Sequence, residues 1–157
     1  RKYGYPVSLD LYGRAYKRAL PLLERAINKF DPDGDFITLN QEIPFNHIDE
    51  VYPTADLSVF ASSCETFGQI IIESIASGLP VCCSNMSSMP ELLKSHARYF
   101  DPLDVDDIEY CLKDVIDSVK MRAELSYGSF NYADQFSWVS TSKKSFNFFR
   151  QIYESKL

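Results

Sequence analysis

Glu65 and Glu73 stand eight residues apart around Gly68, in the stretch Glu65-Thr66-Phe67-Gly68-Gln69-Ile70-Ile71-Ile72-Glu73. The apolar run Leu57-Ser58-Val59-Phe60-Ala61 precedes this segment and reads as a strand. A helix is expected to follow. Strand, turn, glycine and helix together present free backbone N–H groups to an anion. A residue without a Cβ lets a ligand approach the backbone closely. Carboxylates on both sides of such an anion site imply a ligand with phosphates in the middle and hydroxyls at each end. A nucleotide sugar has that shape. The competing reading is a solvated Glu65 and a Glu73 that merely pairs with a nearby cation. Against it, Ile70, Ile71, Ile72, Ile75 and Ala76 surround Glu73 in sequence. They suggest a helix buried on most sides, where a lone carboxylate is costly without a dedicated partner.

These residues must be held by an alternation of strands and helices. Short apolar runs are expected to be strands at Val7–Gly13, Phe36–Leu39, Leu57–Ala61, Val81–Cys83 and Arg98–Phe100. Helical spacing predicts helices over Ala15–Phe30, a short one after Pro44 through Val51, Gly68–Ser77 and Ser88 to Ser95. Ser87-Ser88-Met89-Pro90-Glu91 reads as the cap of the last of these. Asp101-Pro102-Leu103-Asp104 caps a further helix with the apolar face Val105, Ile108, Leu112, Val115 and Val119. Two more helices fit Met121–Ala133 and Ser137–Leu157. Trp138, Phe146, Phe148 and Phe149 are expected to pack the last helices, with some of these rings lacking full cover. The pattern predicts an α/β fold, a doubly wound parallel sheet with C-terminal helices. Ligands of such sheets sit at the carboxyl ends of the strands, where Glu65 and Gly68 fall.

Composition narrows the partners. The chain has 157 residues, is 45% apolar and 14% aromatic, and carries a net charge of −6. One domain over residues 1–157 is expected, with enough apolar content for a core. The acidic balance argues against nucleic acid or an anionic membrane surface as partner. No apolar run reaches the roughly 20 residues of a membrane span. Cys64, Cys82, Cys83 and Cys111 include no CxxC pair, and the only histidines are His47 and His96. No metal and no other cofactor is expected, and a reducing cytoplasmic compartment fits best. Adjacent Cys82 and Cys83 on one strand would point to opposite faces.

Residues 55–102 closely resemble the donor-binding half of the retaining glycosyltransferases of family 4, which have the GT-B fold. The resemblance is carried by Ala55-Asp56-Leu57, by Ser62-Ser63-Cys64-Glu65-Thr66-Phe67-Gly68, and by Glu73-Ser74-Ile75-Ala76-Ser77-Gly78-Leu79-Pro80-Val81. It continues through Ser84-Asn85, Pro90-Glu91 and Tyr99-Phe100-Asp101-Pro102. Order and spacing follow the family pattern. Ser62 stands where the family usually has proline, and Ser74 where it has alanine. The resemblance implies a hexosyltransferase that moves a sugar from a UDP- or GDP-sugar to an acceptor in carbohydrate biosynthesis. Glu65 would be the catalytic residue, touching the donor sugar. The amides of Phe67, Gly68 and Gln69 would bind sugar hydroxyls and diphosphate. Glu73 would bind the ribose diol, and Ile43 would lie near the base. The family also places an Arg and a Lys after the first strand of this domain. Arg14 and Lys17 do not match those positions, so the chain reads as lacking that loop and the N-terminal acceptor-binding domain. On this reading the chain alone would be inactive. The alternatives are a non-catalytic nucleotide-sugar-binding module and a GT-B relative such as a nucleotide-sugar epimerase or phosphorylase.

Overall fold

The computed structural model describes residues 4–14, 16–40 and 42–155. They cluster into two compact units, residues 1–48 and 49–157. In the first unit, strand β1 (Leu9–Leu11), helix α1 (Leu20–Phe30) and strand β2 (Ile37–Leu39) form a β-α-β element. The strands run parallel, with Leu9 paired to Ile37 and Leu11 to Leu39. The expected helix start at Ala15 lies outside the described residues, but α1 itself begins only at Leu20, with Pro21 in its first turn. Proline has no N–H and fits only there. A helix begun at residue 15 would have carried Pro21 in its interior. The face of α1 that is sheltered is Leu20, Leu23 and Ile27, whereas Leu22, Ala26 and Phe30 are exposed. The turn after α1 is organised by Asp31, which is only 4% exposed. Its carboxylate accepts the N–H groups of Asp35, Phe36 and Ile37 at 2.8, 2.9 and 2.7 Å. That is how an acidic residue holds the entry to β2. A short helix, α2 (Ile48–Val51), follows after a single 3-10 turn over Phe45–His47.

The second unit holds strands β3 (Ser58–Phe60), β4 (Val81–Ser84) and β5 (Arg98–Phe100) in one parallel sheet with β4 in the middle. Helix α3 (Gln69–Ala76) connects β3 to β4, and α4 (Met89–Leu93) connects β4 to β5. Helices α5 (Val105–Asp117), α6 (Val119–Ala133) and α7 (Trp138–Glu154) follow. All four residues of β4 are buried. Its neighbours divide the core as alternation requires. Cys83 and Val81 pack with Ile71, Ile75, Met89 and Leu93 on one face. Cys82 packs with Phe100, Cys111, Val115 and Leu125 on the other. Phe100 is the largest side chain fully withdrawn from water, and burying a side chain of that size contributes about 1.5–3 kcal/mol. Burial also pushes the Cys83 thiol up to about 12. It stays a neutral core residue at neutral pH.

Helices α5 and α7 begin at the expected Asp104 and Ser137 caps, whereas α6 begins at Val119, two residues before the expected Met121. Asp104 accepts the N–H groups of Asp106 and Asp107 at 2.9 and 3.3 Å, and Ser118 and Ser137 cap α6 and α7 in the same manner. Three expectations need correction. The inner face of α5 is Ile108, Cys111, Leu112 and Val115; Val105, its first residue, is 75% exposed, and Val119 lies beyond α5 as the first residue of α6, 72% exposed. Ser88 stands at the start of α4 but in helical backbone, and its side chain makes no cap bond. No residue of α7 is buried. Trp138 is 86% exposed, and Phe146, Phe148 and Phe149 touch one another rather than a core, with ring centroids 6.2 and 6.3 Å apart. The expected end of that helix at Leu157 lies outside the described residues. None of the described helices is long and apolar enough to cross a membrane.

Candidate functional site

The loop after β3 and the turn after β4 leave neighbouring, hydrogen-bonded strands, because Phe60 pairs with Cys83. Parallel pairing puts both connections at the carboxyl end of the sheet, where side chains from two loops can converge. Glu65, Phe67 and Gly68 come from the first connection, and Ser87 from the second.

Gly68 begins α3 at φ +81° and ψ +50°. An L residue in this left-handed region is disfavoured by roughly 1–2 kcal/mol. A Cβ there would also lie 3.1 Å from Cδ1 of Ile71. The glycine is required by the chain itself, before any ligand is considered. Replacing Gly68 with Ala is therefore expected to destabilise the second unit by about 1–2 kcal/mol in denaturant titration, and an unchanged midpoint would refute the left-handed assignment. Valine at this position would combine strain with any loss of ligand contact. No side chain caps α3, so its first amides face the loop with the positive end of the helix dipole behind them.

Glu73 has two dedicated partners. Its Oε2 accepts the Tyr52 hydroxyl at 3.1 Å, and its Oε1 accepts Nε2 of Gln69 at 3.1 Å. Ionised carboxylates have about four acceptor directions, so each oxygen retains capacity for a ligand hydroxyl. Tyr52 lies in a 3-10 turn over Tyr52–Thr54. Burial first, and the Glu73 charge second, raise its pKa well above the ordinary tyrosine value. The phenol therefore remains a donor at neutral pH. The helix around Glu73 is not buried on most sides as expected. Ile71, Ser74 and Ile75 face the core, while Ile70 is 51% exposed and Ala76 is exposed. The isoleucine run is longer than the one helical face that the sheet can cover.

Glu65 is half-buried. Its backbone N–H donates to Oγ of Ser87 at 3.0 Å, and its carbonyl accepts from the same hydroxyl at 2.5 Å. Among the described residues, no hydrogen bond reaches its carboxylate. Phe67 is 53% exposed beside it. The second unit thus contains Glu65, Phe67, Gly68, Gln69 and Glu73. Ile43 belongs to the first unit, half-buried in the segment between β2 and the Phe45–His47 turn, where Glu42, Pro44, Phe45 and Ile48 surround a shallow depression with it. Among the described residues, no three His, Cys, Asp or Glu side chains converge as metal ligands would. Sequence reading missed Tyr52 and Ser87. For Tyr52 the available signal was an aromatic residue just before Pro53 and Asp56; for Ser87 it was a small hydroxyl in the turn before Pro90-Glu91.

Comparison with known proteins places this geometry. Residues 34–131 match the model of the family described as "Glycosyl transferases group 1". O-antigen chain mannosyltransferase B of Escherichia coli is 30% identical over 110 residues, which is 70% of this chain and 29% of that protein. The serotype-specific mannosyltransferase WbdA of Escherichia coli is 28% identical over 67% of this chain and 13% of its own length. The chain thus spans less than a third of either relative. Among solved structures, Anabaena HepE in complex with UDP superposes with a TM-score of 0.84 at 18% identity, over 94% of this chain and 42% of that one. The C-terminal domain of the Francisella tularensis glycosyl transferase group 1 protein LpcC gives a TM-score of 0.73 at 23% identity, over 85% of this chain and 72% of that domain. The architecture is the Rossmann-like α/β fold of GT-B glycosyltransferases. With the family model spanning the two glutamates, the glycine between them and most of the sheet, the chain belongs to the group 1 glycosyl transferases.

Proposed function

We propose that these residues form the donor-binding part of a retaining hexosyltransferase of the cytoplasm, which takes a hexose from a UDP- or GDP-sugar. The observation that supports this reading best is the pairing of a partnered carboxylate, Glu73, with an uncapped helix start at Gly68 and a second carboxylate, Glu65, beyond it. Glu73 holds the ribose diol. The amides of Phe67, Gly68 and Gln69 hold sugar hydroxyls and the diphosphate. Glu65 touches the sugar at the reacting carbon. In such a reaction the protein positions the donor and stabilises the departing diphosphate. The acceptor is held by a separate domain, so residues 1–157 alone bind donor without transferring sugar.

A thermal-shift panel of nucleoside diphosphates and their sugars tests the reading. Ligand at a hundred times its Kd raises stability by about 2.7 kcal/mol, which corresponds to several degrees in Tm for a chain of this size. One base should stand out. The intact enzyme should then release a product whose anomeric configuration matches that of the donor. No shift with any nucleotide overturns the donor site. Binding without transfer by the intact enzyme would leave a non-catalytic module.

A further inference from the structure

Ser87 sits at φ +60°, in the left-handed region. Few residues other than glycine, asparagine and aspartate adopt it. Serine gains nothing from the position itself. What it does there is bond Glu65 twice, accepting its N–H at 3.0 Å and donating to its C=O at 2.5 Å. A single hydroxyl that engages both backbone groups of one residue fixes where that residue stands and which way its Cα–Cβ bond points. It does so across 22 positions of sequence, from the turn after β4 to the loop after β3. The Glu65 carboxylate receives no hydrogen bond from the described residues, so the clasp is what sets the point from which its side chain starts.

We propose that Ser87 is a positioning residue for transfer, a clasp that sets the aim of Glu65. The proposal rests on the reading of Glu65 as the residue that meets the donor sugar. Transition-state stabilisation is sensitive to placement, and an error on the order of 1 Å costs about a hundredfold. Loss of the clasp should therefore reduce turnover while leaving ground-state binding by Glu73 and the α3 amides alone.

Ser87→Gly is the informative variant. Glycine adopts positive φ without steric penalty, so the turn is preserved and only the hydroxyl is lost. In the intact enzyme we expect kcat to fall between about tenfold and a hundredfold. Donor affinity by calorimetry should stay within about twofold, and Tm should change little, because relief of left-handed strain offsets the lost hydrogen bonds and the added chain entropy. Retention of kcat within about twofold overturns the proposal. So does a loss of donor affinity or Tm in step with kcat, which would make Ser87 a structural staple of the loop. Glu65→Gln is measured alongside. If it lowers kcat and Ser87→Gly does not, the clasp fails and the donor site stands. If Glu65→Gln is itself fully active, the role of Glu65 falls and the clasp has nothing catalytic to aim.

Discussion

Replacing Glu65 with Gln in the intact enzyme should lower kcat by about a hundredfold or more, with little change in donor affinity. The change keeps size and hydrogen-bonding reach and removes the charge. Both bonds to Ser87 use the backbone of Glu65, so the substitution leaves the clasp in place. On the proposed reading, what is lost is the carboxylate at the sugar, where charge would develop as the diphosphate departs. Removing one preorganised electrostatic contact of this kind costs about 10²–10³ in kcat. The carboxylate of Glu65 is free of protein donors among the described residues, so its loss leaves no buried group stranded and the fold should be unaffected. Steady-state kinetics with direct titration of donor checks this. Near-native kcat with a folded protein would return Glu65 to the solvated surface.

Glu73→Gln should act on the other side of the equation. A residue that holds the ribose diol in ground and transition state alike contributes uniform binding, so its loss raises the donor KM more than it lowers kcat. The geometry adds a second cost. Gln69 donates to Glu73 Oε1 at 3.1 Å, and a glutamine at 73 would turn an amide donor toward one of its two partners. If the amide faces Gln69, that side chain loses its acceptor; if it faces Tyr52, the hydroxyl can turn only to the Ile70 carbonyl at 3.4 Å, and on the proposed reading the diol loses an acceptor as well. Hydrogen bonds to a charged group contribute about 1.5–3 kcal/mol each. A rise in donor Kd of between about tenfold and a hundredfold follows, at about 1.4 kcal/mol per tenfold. Tyr52→Phe, which removes one of the two supports, should show a smaller rise. Its effect should be less than additive with Glu73→Gln, because both act on one network. Donor calorimetry on the two single variants and the double reads this directly. Unchanged affinity in Glu73→Gln would assign the Tyr52–Glu73–Gln69 network to packing alone.

Much of this arrangement was legible before any coordinates. The strands β3, β4 and β5 fall where short apolar runs lie between Gly, Pro and Ser signals, and the glycine at the head of α3 was marked by its place between strand and isoleucines. Boundaries that hinge on proline were legible in principle and misread at α1, where Pro21 sets the start five positions late. Other features had no signal in periodicity. Ser87 reaches Glu65 across the sheet, and Tyr52 reaches Glu73 from a turn 21 positions away. Such pairs depend on which strands lie side by side, which a linear pattern does not encode. The exposure of Ile70 was hidden for a related reason. An apolar residue reports what a helix is able to bury, and only the neighbouring elements decide which of its faces is covered.

The sequence of β4 carries one more consequence. A strand sheltered on a single face resists slippage, because a shift of one residue would turn its apolar side toward water. Val81–Ser84 is buried on both faces, and its two middle residues are both cysteine. A one-step slip would still leave a cysteine in one of the two central places, while Val81 or Ser84 moved into the other. The cysteine pair thus marks the alignment only weakly, and the ends of the strand add to its fidelity. At the entrance, the Leu79 N–H is tied to the Ser74 carbonyl and the Pro80 carbonyl to the Ser58 N–H. At the exit, the Ser84 hydroxyl accepts the Met86 N–H at 3.0 Å, and the Asn85 N–H bonds the Phe100 carbonyl at 2.8 Å. An error there would displace Ser87 by roughly 3.3 Å, one strand step, and part it from Glu65. The position of Ser87, and with it the bond to Glu65, therefore depends on anchors at both tips of β4.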